Sequence, residues 1–302
     1  MNYKIIRPFD PWKKESLCTC PFKYTINPYT GCSHSCLYCY ASSYIKDFFK
    51  PRKKERLLEY ITKDINHIPE GSIINISSSS DPYIPLEKEE MITRKILEKF
   101  VSKKYIIEIV TKSDLIARDV DILCKGKSVI SITITTLDEA LAKALEPRAP
   151  SPLKRLDVVK KLSENNLPVV VRLDPIIPFI TDNKENIKHV IDGAVNAGAK
   201  HVISSTYKVK IDNLNRIVNC FPHLSKNLKE LYYMYGEKIH GAYYAPKSYR
   251  EKILSEIREM VKRKGLTFST CRENLPHLND KEISCDGTSM ILKNFVKSGS
   301  DR

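Results

Sequence analysis

The sequence predicts an α/β chain folded as a partial (β/α)6 TIM-like barrel with a mainly helical C-terminal extension. Three observations predict it. Short β-rich runs alternate with longer amphipathic stretches through the first two-thirds of the 302 residues, the order that builds a parallel sheet with helical crossovers. Runs such as Ile73-Ile-Asn-Ile76 and Val169-Val-Val171 are apolar on both faces, as expected where helices cover one side of a strand and a barrel interior the other. Beyond about Thr206 the alternation stops and helical periodicity takes over, with Ile253, Ile257 and Val261 recurring every four residues.

Taken in order, residues 1–21 read as an N-terminal segment without an apolar signal core. No uninterrupted apolar stretch approaches the roughly 20 residues needed to span a bilayer. A cytoplasmic protein with no membrane partner is therefore expected. Strands are expected at 23–26, 72–77, 105–110, 129–133, 168–173 and 201–205, with helices at 51–66, 89–101, 115–123, 137–144, 152–165 and 183–197. Residues 22–205 form the core in this reading, and 206–302 an extension, with a helix at 248–264, that closes one side of the barrel. In such barrels reactive groups collect where strands end, because the loops there converge on the open mouth.

The run Asn27-Pro-Tyr-Thr-Gly-Cys32-Ser-His-Ser-Cys36-Leu-Tyr-Cys39-Tyr40 follows the first strand directly and presents C-x3-C-x2-C. Pro28 lacks a donor and Gly31 permits left-handed dihedrals, so the run suits a loop. Four thiolates would close a zinc tetrahedron or saturate an iron–sulfur cube; three hold three irons and leave a fourth open to an outside ligand. A zinc knuckle completed by His34 or a remote cysteine is the alternative, and it would make the chain a non-catalytic zinc or iron–sulfur binding module.

Lys and Arg exceed Asp and Glu by 50 − 36 = 14, giving a positive field that attracts polyanions such as nucleic acid. The charges are spread over many helical faces, so solvation accounts for any single run. Nine cysteines without a secretory signal argue against a disulfide framework and for ligands and buried thiols. Cys18, Cys20, Cys271 and Cys285 make a candidate auxiliary site for an iron–sulfur cluster or zinc; a hydrogen-donating thiol, or plain packing, remains open for them. Cys124 and Cys220 are expected in the core, and His34 and His277 at the surface or in caps. Tyr232, Tyr233, Tyr235, Tyr243 and Tyr244, followed by Lys247, Tyr249 and Arg250, combine stacking surfaces with cations, a mixture that suits a splayed base or core packing equally.

The spacing of the triplet and the aromatic before its last cysteine resemble the radical S-adenosylmethionine (SAM) superfamily. Further stretches, Ser77-Ser-Ser-Ser-Asp81-Pro-Tyr83, Val110-Thr-Lys112, Val129-Ile-Ser131-Ile-Thr133 and the run from Leu145-Glu-Pro to Arg155, together resemble its spore photoproduct lyase-like branch over roughly residues 22–205. The resemblance implies a [4Fe-4S] cluster on Cys32, Cys36 and Cys39 whose fourth iron chelates the amino and carboxylate groups of SAM. It implies SAM contacts at Ser80, Asp81, Lys112, Ser131 and Thr133; by period-2 counting Arg172 and Asp174, at the end of strand five, point toward the barrel mouth, either to contact SAM or substrate or to pair with each other. Lys112 would pair with the SAM carboxylate, and Glu146 with Arg155 would brace the loop after strand four. Tyr38 would shield the cluster, and Tyr38 and Tyr40 match a tyrosine pair implicated in radical transfer.

Such an enzyme takes one electron from a reductant such as ferredoxin or flavodoxin, cleaves SAM to a 5′-deoxyadenosyl radical and abstracts a hydrogen atom. Nucleic acid or a nucleotide is the expected substrate, with a peptide or small metabolite as the alternative. The sequence departs from the lyases at Ser78, where they carry the cysteine that returns a hydrogen atom to the product radical. A serine O–H is too strong for that part, so a reaction other than thymine-dimer reversal is expected.

Overall fold

The computed structural model describes residues 4–9 and 17–291. The remainder of the predicted N-terminal segment and the end of the extension lie outside the described residues. Eight strands form one sheet whose spatial order follows the chain: β1 (Arg7–Pro8), β2 (Tyr24–Ile26), β3 (Ile73–Ile76), β4 (Ile106–Thr111), β5 (Lys127–Thr133), β6 (Val169–Ile176), β7 (His201–Thr206) and β8 (Thr267–Thr270). β1 runs antiparallel to β2, and β2 to β8 are parallel throughout. β1 and β8 are edges, so the barrel is open.

Alternation along the strands sorts the two sides. Ile130, Ile132, Val169, Val171 and Val202 join the main core under the helices, whereas Val129, Val170 and Ile203 cluster on the inner side with Met290. The inner file then continues through Ser131 and Thr133 on β5, Arg172 and Asp174 on β6, and Ser205 on β7. Apolar residues thus fill the floor, and polar ones arrive at the strand ends.

The crossovers are α1 (Leu57–Asp64), α2 (Ile92–Ser102), α3 (Glu139–Leu145), α4 (Pro152–Glu164) and α5 (Lys184–Asn196). Helix α4 opens on Ser151, whose hydroxyl accepts from the Lys154 N–H, and on Pro152 in its first turn, both favourable where the first amides lack helical partners. Four expectations are corrected. The stretch 51–66 is not helical from its start: Arg52–Lys53 pairs with Tyr29–Thr30, because the segment from Phe48 is tied to the cysteine loop. The stretch 115–123 is a 3-10 turn, Asp114–Asp119, leading into one helical turn. After α6 (Ile211–Cys220), a hairpin of Glu237–Ile239 and Ala242–Tyr244, and α7 (Lys247–Arg263), the chain returns to the sheet as β8, a seventh parallel strand that the sequence reading missed. Cys124 and Cys220, expected in the core, are instead exposed, since both stand at helix ends facing outward. Among the described residues no helix is long and apolar enough to cross a membrane.

Candidate functional site

The cysteine run occupies the turn after β2, and backbone bonds from distant segments fix it. The Cys32 N–H donates to the Phe48 carbonyl at 2.7 Å, the Leu37 N–H to Leu145 at 2.9 Å, and the Arg148 N–H to His34 at 3.2 Å. Arg216 on α6 donates to the carbonyls of Leu37 at 3.0 Å and Cys39 at 2.9 Å. Gly31 sits at φ +86°, where a Cβ would lie 2.4 Å from the Phe48 carbonyl oxygen that receives Cys32. Gly31→Ala is therefore expected to cost about 2 kcal/mol or more, from left-handed strain plus a backbone clash. Thermal melts and iron content per chain, both falling, would check it.

Cys32 and Cys36 are buried and Cys39 is partly so; all three face a cavity of about 860 Å³ at the strand ends, within the range of small-molecule sites. Tyr38, Ser80, Asp81, Lys112, Thr133 and Arg172 line the same cavity. Ser131 does not reach it: it lies one step below Thr133, fully buried, and its hydroxyl finds no partner among the described residues.

Asp81 is a hub. Its carboxylate accepts from the Thr111 hydroxyl at 2.7 Å, the Lys112 N–H at 2.8 Å and the Tyr83 N–H at 2.9 Å, and His34 Nε2 stands 3.3 Å away. Burial alone would raise its pKa, but His34 and these bonds outweigh burial and hold it at about 2. His34 is thus buried and turned to Asp81, which corrects the surface or capping role expected of it. Ser80 donates its hydroxyl to the Tyr29 carbonyl at 2.8 Å. Asn27 organises the serine run, accepting from the Ser79 N–H at 3.0 Å and donating to the Ser78 hydroxyl at 3.2 Å.

A second network lies behind Cys36. Glu146 pairs with Arg155 at 2.5 Å and accepts the Tyr38 phenol, so the expected brace is present. Burial opposes the Glu146 charge, yet Arg155 and then Lys112 hold its carboxyl below the usual range. The Lys112 ammonium lies 5.5 Å from the centre of the Tyr38 ring and makes no hydrogen bond to the described residues. Burial disfavours that ammonium, but Cys36 and Glu146 beside it keep its pKa raised. Arg172 pairs with Asp174 at 2.6 Å, and Tyr40 lies under the Arg272 guanidinium at 5.5 Å.

Cys18, Cys20, Cys271 and Cys285 line the same cavity, with Cys20 and Cys285 sulfurs 3.0 Å apart. Sequence reasoning missed Asn27, Arg216 and the Asp81–His34 contact. Only Asn27 carried a signal, its place just before the cysteines; Arg216 looks like any solvated helical arginine.

The donor set fits an iron–sulfur group. Burial pushes the Cys32 thiol up to about 12 and raises those of Cys36 and Cys39, so the three ionise only beside added positive charge, which bound iron supplies. His34 Nε2 is turned toward Asp81, while the three thiols of the turn face the cavity together.

Residues 26–194 match the model of the Radical SAM superfamily. An uncharacterized protein of Methanocaldococcus jannaschii is 33% identical over 266 residues, covering 86% of this chain and 93% of that protein. One from Acidianus two-tailed virus is 30% identical over 227 residues, covering 69% and 75%. A spore photoproduct lyase mutant with bound AdoMet and dinucleoside spore photoproduct superposes with a TM-score of 0.61 at 18% identity, over 85% of this chain and 75% of that one, which establishes the shared fold. Radical SAM enzymes bind a [4Fe-4S] cluster and SAM and need a reductant; this chain belongs to the radical SAM superfamily.

Proposed function

We propose that the chain holds its cluster on Cys32, Cys36 and Cys39 and directs radical SAM chemistry at a nucleic acid or nucleotide. One observation carries the reading: three thiols from a single turn, Cys32 and Cys36 buried and Cys39 partly so, and the Lys112 ammonium line one cavity, to which Lys208, Lys210, Arg272 and the aromatic rings of Tyr40 and Tyr44 add. Reductive cleavage of SAM at the cluster supplies the 5′-deoxyadenosyl radical that abstracts hydrogen. The protein's part is positional. Lys112 receives the SAM carboxylate, since its ammonium is buried beside Cys36 and lacks a hydrogen-bond partner among the described residues. Asp81 is saturated by its own neighbours and orients the loop through His34, while Ser80 stands at the methionyl end of SAM, Thr133 at its ribose or carboxylate, and Arg172 at SAM or substrate. Tyr38 excludes solvent from the Cys36 side; Tyr38 and Tyr40 stand as radical-transfer candidates, the second beside Arg272.

The lyase of this fold carries a dinucleoside photoproduct, one precedent for a nucleic-acid ligand. Ser78 in place of a thiol directs this chain to a reaction other than dimer reversal. Residues 22–205 serve as the cofactor core and the following segment as its wall, and a ferredoxin or flavodoxin supplies the electron. The test is binding of labelled single-stranded DNA and RNA to reconstituted protein across salt. Affinity is expected to fall steeply with salt, and Lys210→Ala is expected to lower the slope of log K against log salt by about one. Binding that ignores salt, or none at about 50 mM salt, would direct attention to a peptide or small metabolite.

A further inference from the structure

The cysteine loop leaves four other cavity-lining thiols without a task. They come from three separate parts of the chain: Cys18 and Cys20 precede β2, Cys271 follows β8, and Cys285 lies in the segment after it. Two residues 265 positions apart bring their sulfurs to 3.0 Å. Cys18 and Cys271 line the same cavity wall, near enough for Cys18 to sense the charge of Cys20 and Cys271 and for Cys285 to sense that of Cys271. Cations stand beside the group, Lys23 next to Cys20 and the Arg172 guanidinium near Cys271. Lys23 is itself clamped by Glu108 at 2.5 Å and Asp286 at 2.9 Å. Packing alone gains little from setting soft donors against one another next to ammonium and guanidinium groups.

We propose that Cys18, Cys20, Cys271 and Cys285 form a second, four-thiolate site for a thiophilic metal, either a zinc ion or the irons of an auxiliary iron–sulfur cluster. Four thiolates around a divalent ion leave two negative charges; Lys23, shared with Glu108 and Asp286, and Arg172, shared with Asp174, stand beside them outside the ligand set. Metal uptake releases the thiol protons to solvent. Among the described residues no three His, Cys, Asp or Glu side chains already stand at the spacing of a ligated ion, and this holds for the cysteine loop as well. The thiols therefore close on the metal by turning within the cavity they line. A closed site of this kind pins the residues before β2 to those after β8, across the open edges of the sheet.

The site stands apart from the cluster reading, and the test separates them. In the full chain carrying Cys32→Ala, Cys36→Ala and Cys39→Ala, the loop cannot hold iron. Anaerobically purified, this variant is expected to retain about one zinc per chain, or iron with matching sulfide; the two results identify the metal and both support the site. Cobalt added to the metal-stripped variant is expected to give an intense thiolate-to-metal charge-transfer band in the near ultraviolet. In the otherwise unaltered chain, Cys271→Ser and Cys285→Ser are expected to remove that same share of metal, while Cys124→Ser and Cys220→Ser keep it. A loop variant without metal, a cobalt complex without the thiolate band, or a product 2 Da lighter with Cys20 joined to Cys285 would each overturn the proposal, as would quartet variants that keep their full metal content.

Discussion

Cys36→Ala is expected to lose most of the loop-bound iron and to lower 5′-deoxyadenosine formation at least about a thousandfold, equal to roughly 4 kcal/mol of barrier. Cys36 is buried against Tyr38 and Leu145, and its carbonyl accepts the Cys39 N–H at 3.2 Å, so it stands at the centre of the turn. Removing one of three sulfurs leaves a corner iron without an anchor, and the imidazole of the loop, His34, is turned toward Asp81 instead. The loss is chemical rather than structural. An alanine keeps the backbone bonds that fix the turn, so far-ultraviolet circular dichroism and the melt of the metal-free chain should match the parent within a few degrees. Cys124→Ser, at an exposed thiol, should retain full activity. A Cys36→Ala protein with parental iron and product would remove the cluster assignment.

Arg155→Met is expected to destabilise the fold by about 3–5 kcal/mol near neutral pH, the range for breaking one side of a buried ion pair. Arg155 is 1% exposed. Besides Glu146 it serves the Thr133 carbonyl at 3.1 Å and the Pro150 carbonyl at 2.7 Å, so its removal frees a buried carboxylate and two acceptors directly behind Cys36. The pH dependence carries the sign. With Arg155 present the Glu146 pKa lies below its ordinary value, so the pair stabilises the fold above that ordinary value and loses the contribution as pH falls through the depressed one. Without Arg155, burial favours the protonated acid, and the deficit of the variant should shrink as pH is lowered toward about 4.5. Glu146→Gln with Arg155→Met should recover part of the loss. Denaturant titrations at several pH values check both points; a deficit under about 1 kcal/mol, flat with pH, would mean that the brace is dispensable.

Much of the scaffold was legible because its strands are runs of Ile and Val, buried on both faces, with few competing helical patterns. β8 was not: Thr-Phe-Ser-Thr has one apolar residue, Phe268, facing the main core, while its other side carries polar groups. The charged stretch after Pro51 reads as helix, yet long-range bonds to the turn at Gly31 hold its first residues extended. The cysteine triplet was legible from spacing, and Glu146 with Arg155 from resemblance. His34 was not, since a histidine between two cysteines looks like a ligand or a surface residue until Asp81, some 47 positions on, is seen to claim it. Ser131 shows the limit of strand periodicity, which selects the inner side but not the depth at which a side chain meets the cavity.

The central claim is that three thiolates leave one iron open to SAM. Anaerobically reconstituted, dithionite-reduced protein, mixed with SAM carrying nitrogen-15 at its amino group and oxygen-17 at its carboxylate, should give electron–nuclear hyperfine couplings from both labels to the cluster spin. A reduced cluster whose spectrum is the same with and without labelled SAM, all four irons held by the polypeptide, would contradict it.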